Sequence, residues 1–138
     1  MQSNKLNTVP ADLKDLKDFK VPKSRRHDES RIQQAAVKWF RYQYPGMLLY
    51  AIPNGGARSG TEASIMKGEG VLAGVADLFL SVPAAEYHGL YIEMKTKKGR
   101  QSLSQEAFQK EAERFGYKYA VCRSLDEFME TINNYLLN

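Results

Sequence analysis

Asp77, Glu93 and Lys95 are the residues whose types and spacing can do chemistry in this chain. They fall in the stretch DLFLSVPAAEYHGLYIEMK, where Asp77 opens one apolar run, Leu78 to Val82, and Glu93 sits inside a second, Leu90 to Met94. Pro83 and Gly89 lie between the runs, so the stretch predicts a β-hairpin. With its loop centred near Ala85, antiparallel pairing sets Asp77 opposite Glu93, at roughly 5 Å between alpha carbons. Alternation along the strand puts Tyr91, Glu93 and Lys95 on one face and Leu90, Ile92 and Met94 on the other. Two carboxylates so close repel unless a cation sits between them, and two oxygen ligands with open positions suit Mg2+. Lys95 would hold an attacking water or offset charge developing on a phosphate. The same triad also describes an acidic pair with a lysine partner on a solvated strand, and the local pattern weighs evenly for both.

The elements that must position these residues are legible on either side. Upstream, ESRIQQAAVKWFRYQY carries Ile32, Ala35, Ala36, Trp39 and Phe40 at helical spacing, with Asp28 as cap and Pro45-Gly46 as stop. Glu29 and Gln33 share a face beside that stripe. Met47 to Ile52 predicts a buried strand, and PNGGARSG after it is a glycine-rich loop whose amides can approach a phosphate, or a plain Asn-Gly turn. Thr61 is placed to cap a short helix, Glu62 to Lys67, with Ile65 and Met66 inward. Gly68, Gly70 and Ala73 mimic a dinucleotide fingerprint, but that motif follows a strand and opens a helix, the reverse of the order here. Those glycines instead suit a tight approach of the chain to the Asp77 strand.

Downstream, Thr96-Lys97-Lys98-Gly99-Arg100 is a basic loop beside Lys95, and Ser102-Leu103-Ser104-Gln105 fits a capping box opening a helix of about Gln105 to Phe115. Gly116 ends it, Tyr117 to Cys122 predicts a strand, and Ser124 to Glu127 is a second capping box before a last helix with Phe128, Ile132, Tyr135 and Leu136 inward. The expected order is helix, strand, short helix, strand, strand, helix, strand, helix: an α/β fold with a mixed sheet flanked by helices.

At 138 residues, 43% hydrophobic, the chain has room for one core. Cys122 is its only cysteine, which excludes an intrachain disulfide and a cysteine zinc cluster and fits a reducing cytoplasm. No apolar run approaches the roughly 18 residues of a membrane span, and no signal peptide is evident. A net charge of +4 and a pI near 9.1 mildly favour a polyanionic partner. Residues 1–26 read as an arm: Leu13, Leu16 and Phe19 make a short amphipathic stripe after Pro10, and Lys23, Arg25 and Arg26 form a basic linker.

Glu29 with Gln33, PNGGARSG, KGEGVLAGVADL, IEMKTKKGRQSLSQ and GYKYAVCRS, in that order, resemble the VRR-NUC domain of the PD-(D/E)xK nuclease superfamily over roughly Glu29 to Ser124. The resemblance implies a restriction-endonuclease-like fold in residues 27–138 and hydrolysis of DNA phosphodiesters with Mg2+ or Mn2+. By motif match Asp77, Glu93 and the Met94 carbonyl would bind the metal, Glu29 would add a ligand, Lys95 would act with the water, and Gln105 would sit nearby. Asn54, Arg58, Lys67, Lys97, Lys98 and Arg100 are the candidate DNA contacts. Ala76 stands where the family usually has Pro, a change that affects stiffness more than chemistry. Short stand-alone relatives are phage and bacterial proteins that dimerise and act on branched DNA such as four-way junctions, which sets the expectation here, in a bacterial or phage-infected cytoplasm. The other expectation is a non-catalytic DNA-binding or assembly module that keeps the fold, although pure binding has no need of two clustered acids facing an anionic backbone.

Overall fold

The sheet of this protein is set by one hairpin and one crossover. In a computed structural model, which describes residues 28–53 and 59–137, the elements follow the predicted order: α1 (Asp28–Gln43), β1 (Leu49–Ala51), α2 (Gly60–Gly68), β2 (Leu78–Leu80), β3 (Leu90–Met94), α3 (Leu103–Arg114), β4 (Lys118–Cys122) and α4 (Leu125–Leu137). The four strands lie in chain order. β1 and β2 pair antiparallel, as do β2 and β3, while β3 and β4 run parallel with α3 as the connecting helix. The arm, with its Leu13, Leu16 and Phe19 stripe and its Lys23, Arg25 and Arg26 run, lies outside the described residues. So do Asn54 and Arg58.

The α1 stripe does what its spacing dictates. Ala35, Ala36, Trp39 and Phe40 are buried, and the last three join Leu78, Leu80, Leu90, Ile92 and Met94 from the sheet and Phe128, Ile132 and Tyr135 from α4 in one core. Trp39 stands edge-on to Tyr44 at 6.0 Å and to Phe128 at 6.1 Å, so it is core. Each such side chain contributes about 1.5–3 kcal/mol of apolar burial. The opposite sheet face carries Phe79, Tyr91 and Tyr117 as ring neighbours, and α3 covers part of it through Phe108, 5.0 Å from Tyr91. β3 is thus enclosed on both faces, which is how Glu93 comes to be buried.

Several local expectations are corrected. Asp28 lies inside the first turn of α1 rather than ahead of it. β1 is shorter than expected and forms the sheet edge, with Leu49 buried but Tyr50 and Ala51 exposed. Ser59, not Thr61, caps α2 by accepting from the Glu62 amide, and no α2 residue is buried, Ile65 included. Ser124 does accept from the Glu127 amide, but the Glu127 carboxylate takes the Arg123 amide at 2.6 Å in place of the reciprocal capping bond.

Candidate active site

Leu78 pairs with Ile92 and Leu80 with Leu90, so the hairpin is centred on Ala85 and its register carries Asp77 opposite Glu93. Ala85 itself takes φ +50°, as a tight hairpin apex requires. Asp77 is held where it stands: its Oδ2 accepts from the Met94 amide at 2.7 Å, and its carbonyl accepts from the Ile52 amide at 2.8 Å. The Met94 side chain points into the core, leaving only its main chain on the site side.

Glu93 is 2% exposed, which rules out a solvated acidic pair. Its Oε1 accepts from Gln105 Nε2 at 2.8 Å and lies 3.8 Å from Lys95 Nζ. Gln105 also completes the predicted capping box, its Oε1 accepting from the Ser102 amide at 2.8 Å while its own amide donates to Ser102 Oγ at 3.2 Å. One side chain therefore does both jobs: one end of the amide caps α3 and the other reaches the acid.

Gly74 makes that arrangement possible. It takes φ +89°, and a Cβ there would stand 2.2 Å from the Ser104 carbonyl oxygen. The close approach expected of Gly68 and Gly70 to the Asp77 strand is not made, since both face open space; the tight contact is that of Gly74 with the start of α3. The residues leading into Asp77 and the helix end that bears Gln105 are locked together.

Glu29, exposed in the first turn of α1, accepts from the Thr96 amide at a long 3.4 Å. It lines a cleft of 710 Å³ together with Asp77, Glu93, Lys95 and Gln105. Lys67 lines the same cleft, and Lys97, Lys98 and Arg100 are exposed on the loop after Lys95.

Burial first, then the Asp77 charge, pushes the Glu93 carboxyl up to about 8, against a smaller downward pull from Lys95. Asp77 is also raised, chiefly by burial, with the Met94 amide opposing. Glu93 Oε2 is buried with no hydrogen-bond partner, and the neighbouring Asp77 charge further disfavours its ionisation. Such a pair is satisfied by a shared proton or by a cation. Among the described residues no three His, Cys, Asp or Glu side chains are grouped to hold a metal ion. Two carboxyls with one unpartnered oxygen are the chemistry of a site for a hard cation that keeps several waters, such as Mg2+.

Arg123 had no assigned role in the sequence beyond its place in GYKYAVCRS. Its guanidinium donates to the carbonyls of Thr96, at 2.9 Å, and Gly99. Only the fold brings it beneath the Lys95 loop.

Residues 27–126 match the sequence model of the VRR-NUC domain. The chain belongs to the VRR-NUC family. Its fold is accordingly restriction-endonuclease-like, and the domain is of the nuclease type that processes DNA. A solved VRR-NUC domain protein superposes with a TM-score of 0.69 at 25% identity, covering 79% of this chain and 88% of that one. No curated protein matches this VRR-NUC sequence. Among the described residues no helix is long and apolar enough to cross a membrane.

Proposed function

We propose that this VRR-NUC protein is a Mg2+-dependent endonuclease, able to use Mn2+, that cuts branched DNA such as four-way junctions as a homodimer in a bacterial or phage-infected cytoplasm. The observation that carries the nuclease chemistry is the pairing of a half-buried Asp77 with a buried Glu93 that has an unpartnered oxygen, both lining a cleft with Lys95 and Gln105. A fold kept only for binding would replace such a pair with apolar residues at little cost.

Asp77 and Glu93 would hold the cation, with the Met94 carbonyl beside them and Glu29 lining the same cleft. When bound, it supplies a Lewis acid for the phosphate and a more acidic water. Gln105 donates to one Glu93 oxygen, fixing the rotamer and directing the other oxygen to the ligand position. Lys95, 13% exposed by side chain, is placed to orient the attacking water and to meet negative charge developing on the phosphate. Lys67, Lys97, Lys98 and Arg100, with Asn54 and Arg58, would hold the backbone either side of the scissile bond.

The branched substrate and the dimer rest on the resemblance to stand-alone members of the family and on the apolar spacing of Leu13, Leu16 and Phe19 in the sequence, with residues 1–26 as an arm on a nuclease unit of 27–138. Cutting a junction symmetrically takes two sites at a fixed separation, which two-fold pairing provides. The test is incubation of the protein with end-labelled linear, flapped and four-way DNA in Mg2+, Mn2+ or EDTA, beside Glu93→Gln. Metal-dependent cuts absent from the variant are expected. Binding without cleavage in either metal would turn the reading to a non-catalytic module.

A further inference from the structure

Arg123 sits at the end of β4, between the first turn of α4 and the loop that follows Lys95. Its amide is tied to Glu127 Oε2, and its guanidinium goes to two main-chain carbonyls, Thr96 and Gly99, rather than to an acid. Those carbonyls bracket a turn already closed by the Gly99 amide on Thr96 O at 3.1 Å. The turn touches the site at two points. The Thr96 amide donates to Glu29. Gly99 runs alongside the Lys95 stem: a Cβ there would be in ordinary contact with Lys95 Cδ at 3.5 Å, and tighter against Thr96 Oγ1 at 3.1 Å. Lys97 and Lys98 in the turn are exposed and like-charged, so these side chains repel one another and do not hold the turn in place. Arg123 Nη1, on a permanently charged guanidinium, donates to both carbonyls and does.

We propose that Arg123 is a positioning residue for the nuclease site: by clamping the Thr96–Gly99 turn it fixes the Lys95 side chain over Glu93 and holds Glu29 at the lip of the cleft. The inference rests on the nuclease reading above. It makes α4 part of the catalytic apparatus, since its first turn anchors the arginine through Glu127.

Arg123→Ala, Arg123→Lys and wild type separate the possibilities. Four quantities are read: Tm, Mn2+ affinity by electron paramagnetic resonance without DNA, DNA affinity in EDTA, and single-turnover cleavage in saturating Mn2+. Displacing a catalytic group by about 1 Å costs on the order of 100-fold in rate, so Arg123→Ala should cut about 100-fold more slowly. Mn2+ affinity should fall several-fold, DNA affinity in EDTA should change less than the rate, and Arg123→Lys should recover part of both losses. Arg123→Ala with wild-type cleavage and Mn2+ affinity overturns the proposal, as does a loss of activity that follows the unfolded fraction alone with Mn2+ affinity unchanged. Wild type that neither binds Mn2+ nor cuts overturns the nuclease reading, and the positioning role with it. If Arg123→Ala does not fold, Arg123→Met, which keeps the apolar stem and has no donor for the Thr96 and Gly99 carbonyls, is read in the same way.

Discussion

At Glu93, ionisation without a cation leaves one buried oxygen facing no donor, so the folded chain retains a proton that the unfolded chain releases near 4.5. Between that value and about 8 the folded state binds more protons than the unfolded one, and stability falls as pH rises through the window. Glu93→Gln cannot ionise. In EDTA at pH 8 it should therefore be more stable than wild type by about 1–3 kcal/mol, with the difference shrinking toward pH 4.5. Urea denaturation across that range checks it, and a pH-independent difference would refute the buried-acid account. Mg2+ should raise the Tm of wild type and leave that of Glu93→Gln nearly unchanged. Gln105→Glu keeps an acceptor for the Ser102 amide but sets a third carboxyl against Glu93, replacing a 2.8 Å donor with a like charge. Cleavage should drop at least 10-fold while α3 stays capped, as single-turnover rates and circular dichroism would show; unaltered rates would leave Gln105 as a cap alone. The cap was legible in the spacing of Ser102 and Gln105. The bond to Glu93 was not, because it joins residues from two elements whose relative placement no local pattern encodes.

Among the elements, the hairpin was fully legible: alternation around Ala85 fixes both the register and the face on which Asp77 and Glu93 meet. α2 was harder. Ile65 and Met66 suggested an inward face, yet its stripe is weak and no α2 residue is buried, so periodicity alone misjudged its packing. Gly74 shows why. The junction that orders this region is a backbone contact, invisible to any hydrophobic pattern. Two substitutions separate its parts: Gly70→Ala, φ +102° in open space, should cost about 1–2 kcal/mol for the backbone conformation alone. Gly74→Ala adds the collision with Ser104, and should cost more than Gly70→Ala and slow cleavage by displacing Gln105. Equal destabilisation by denaturant, with equal activity, would mean that the Gly74 approach is not needed.

Over the whole molecule, sequence charge announced a polyanionic partner but not where it lies; the fold puts Lys67 in the cleft and Lys97, Lys98 and Arg100 beside it. Each lysine meeting a phosphate releases counterions, so Lys97→Ala and Lys98→Ala should each lower the slope of log affinity against log salt by roughly 0.9, evenly across DNA sequences. Anisotropy titrations in EDTA measure this, and an unchanged slope would place the DNA elsewhere. Deleting residues 1–20 should weaken dimerisation and reduce paired cutting of junctions more than nicking of linear DNA. Sedimentation together with a two-strand junction assay checks both, and a truncated protein that stays dimeric with symmetric cuts would put the interface in residues 28–137.

The Met94 amide gives the site a built-in reporter. It belongs to a strand flanked on both sides by other strands, yet its acceptor is the Asp77 carboxylate instead of a main-chain carbonyl. Deuterium uptake there depends on where one side chain points, while the neighbouring amides of β3 and β4 follow the sheet. A cation that turns Asp77 away would speed exchange at this single position, and one that tightens the pair would slow it. Occupancy of the proposed metal position can thus be followed without substrate or cleavage.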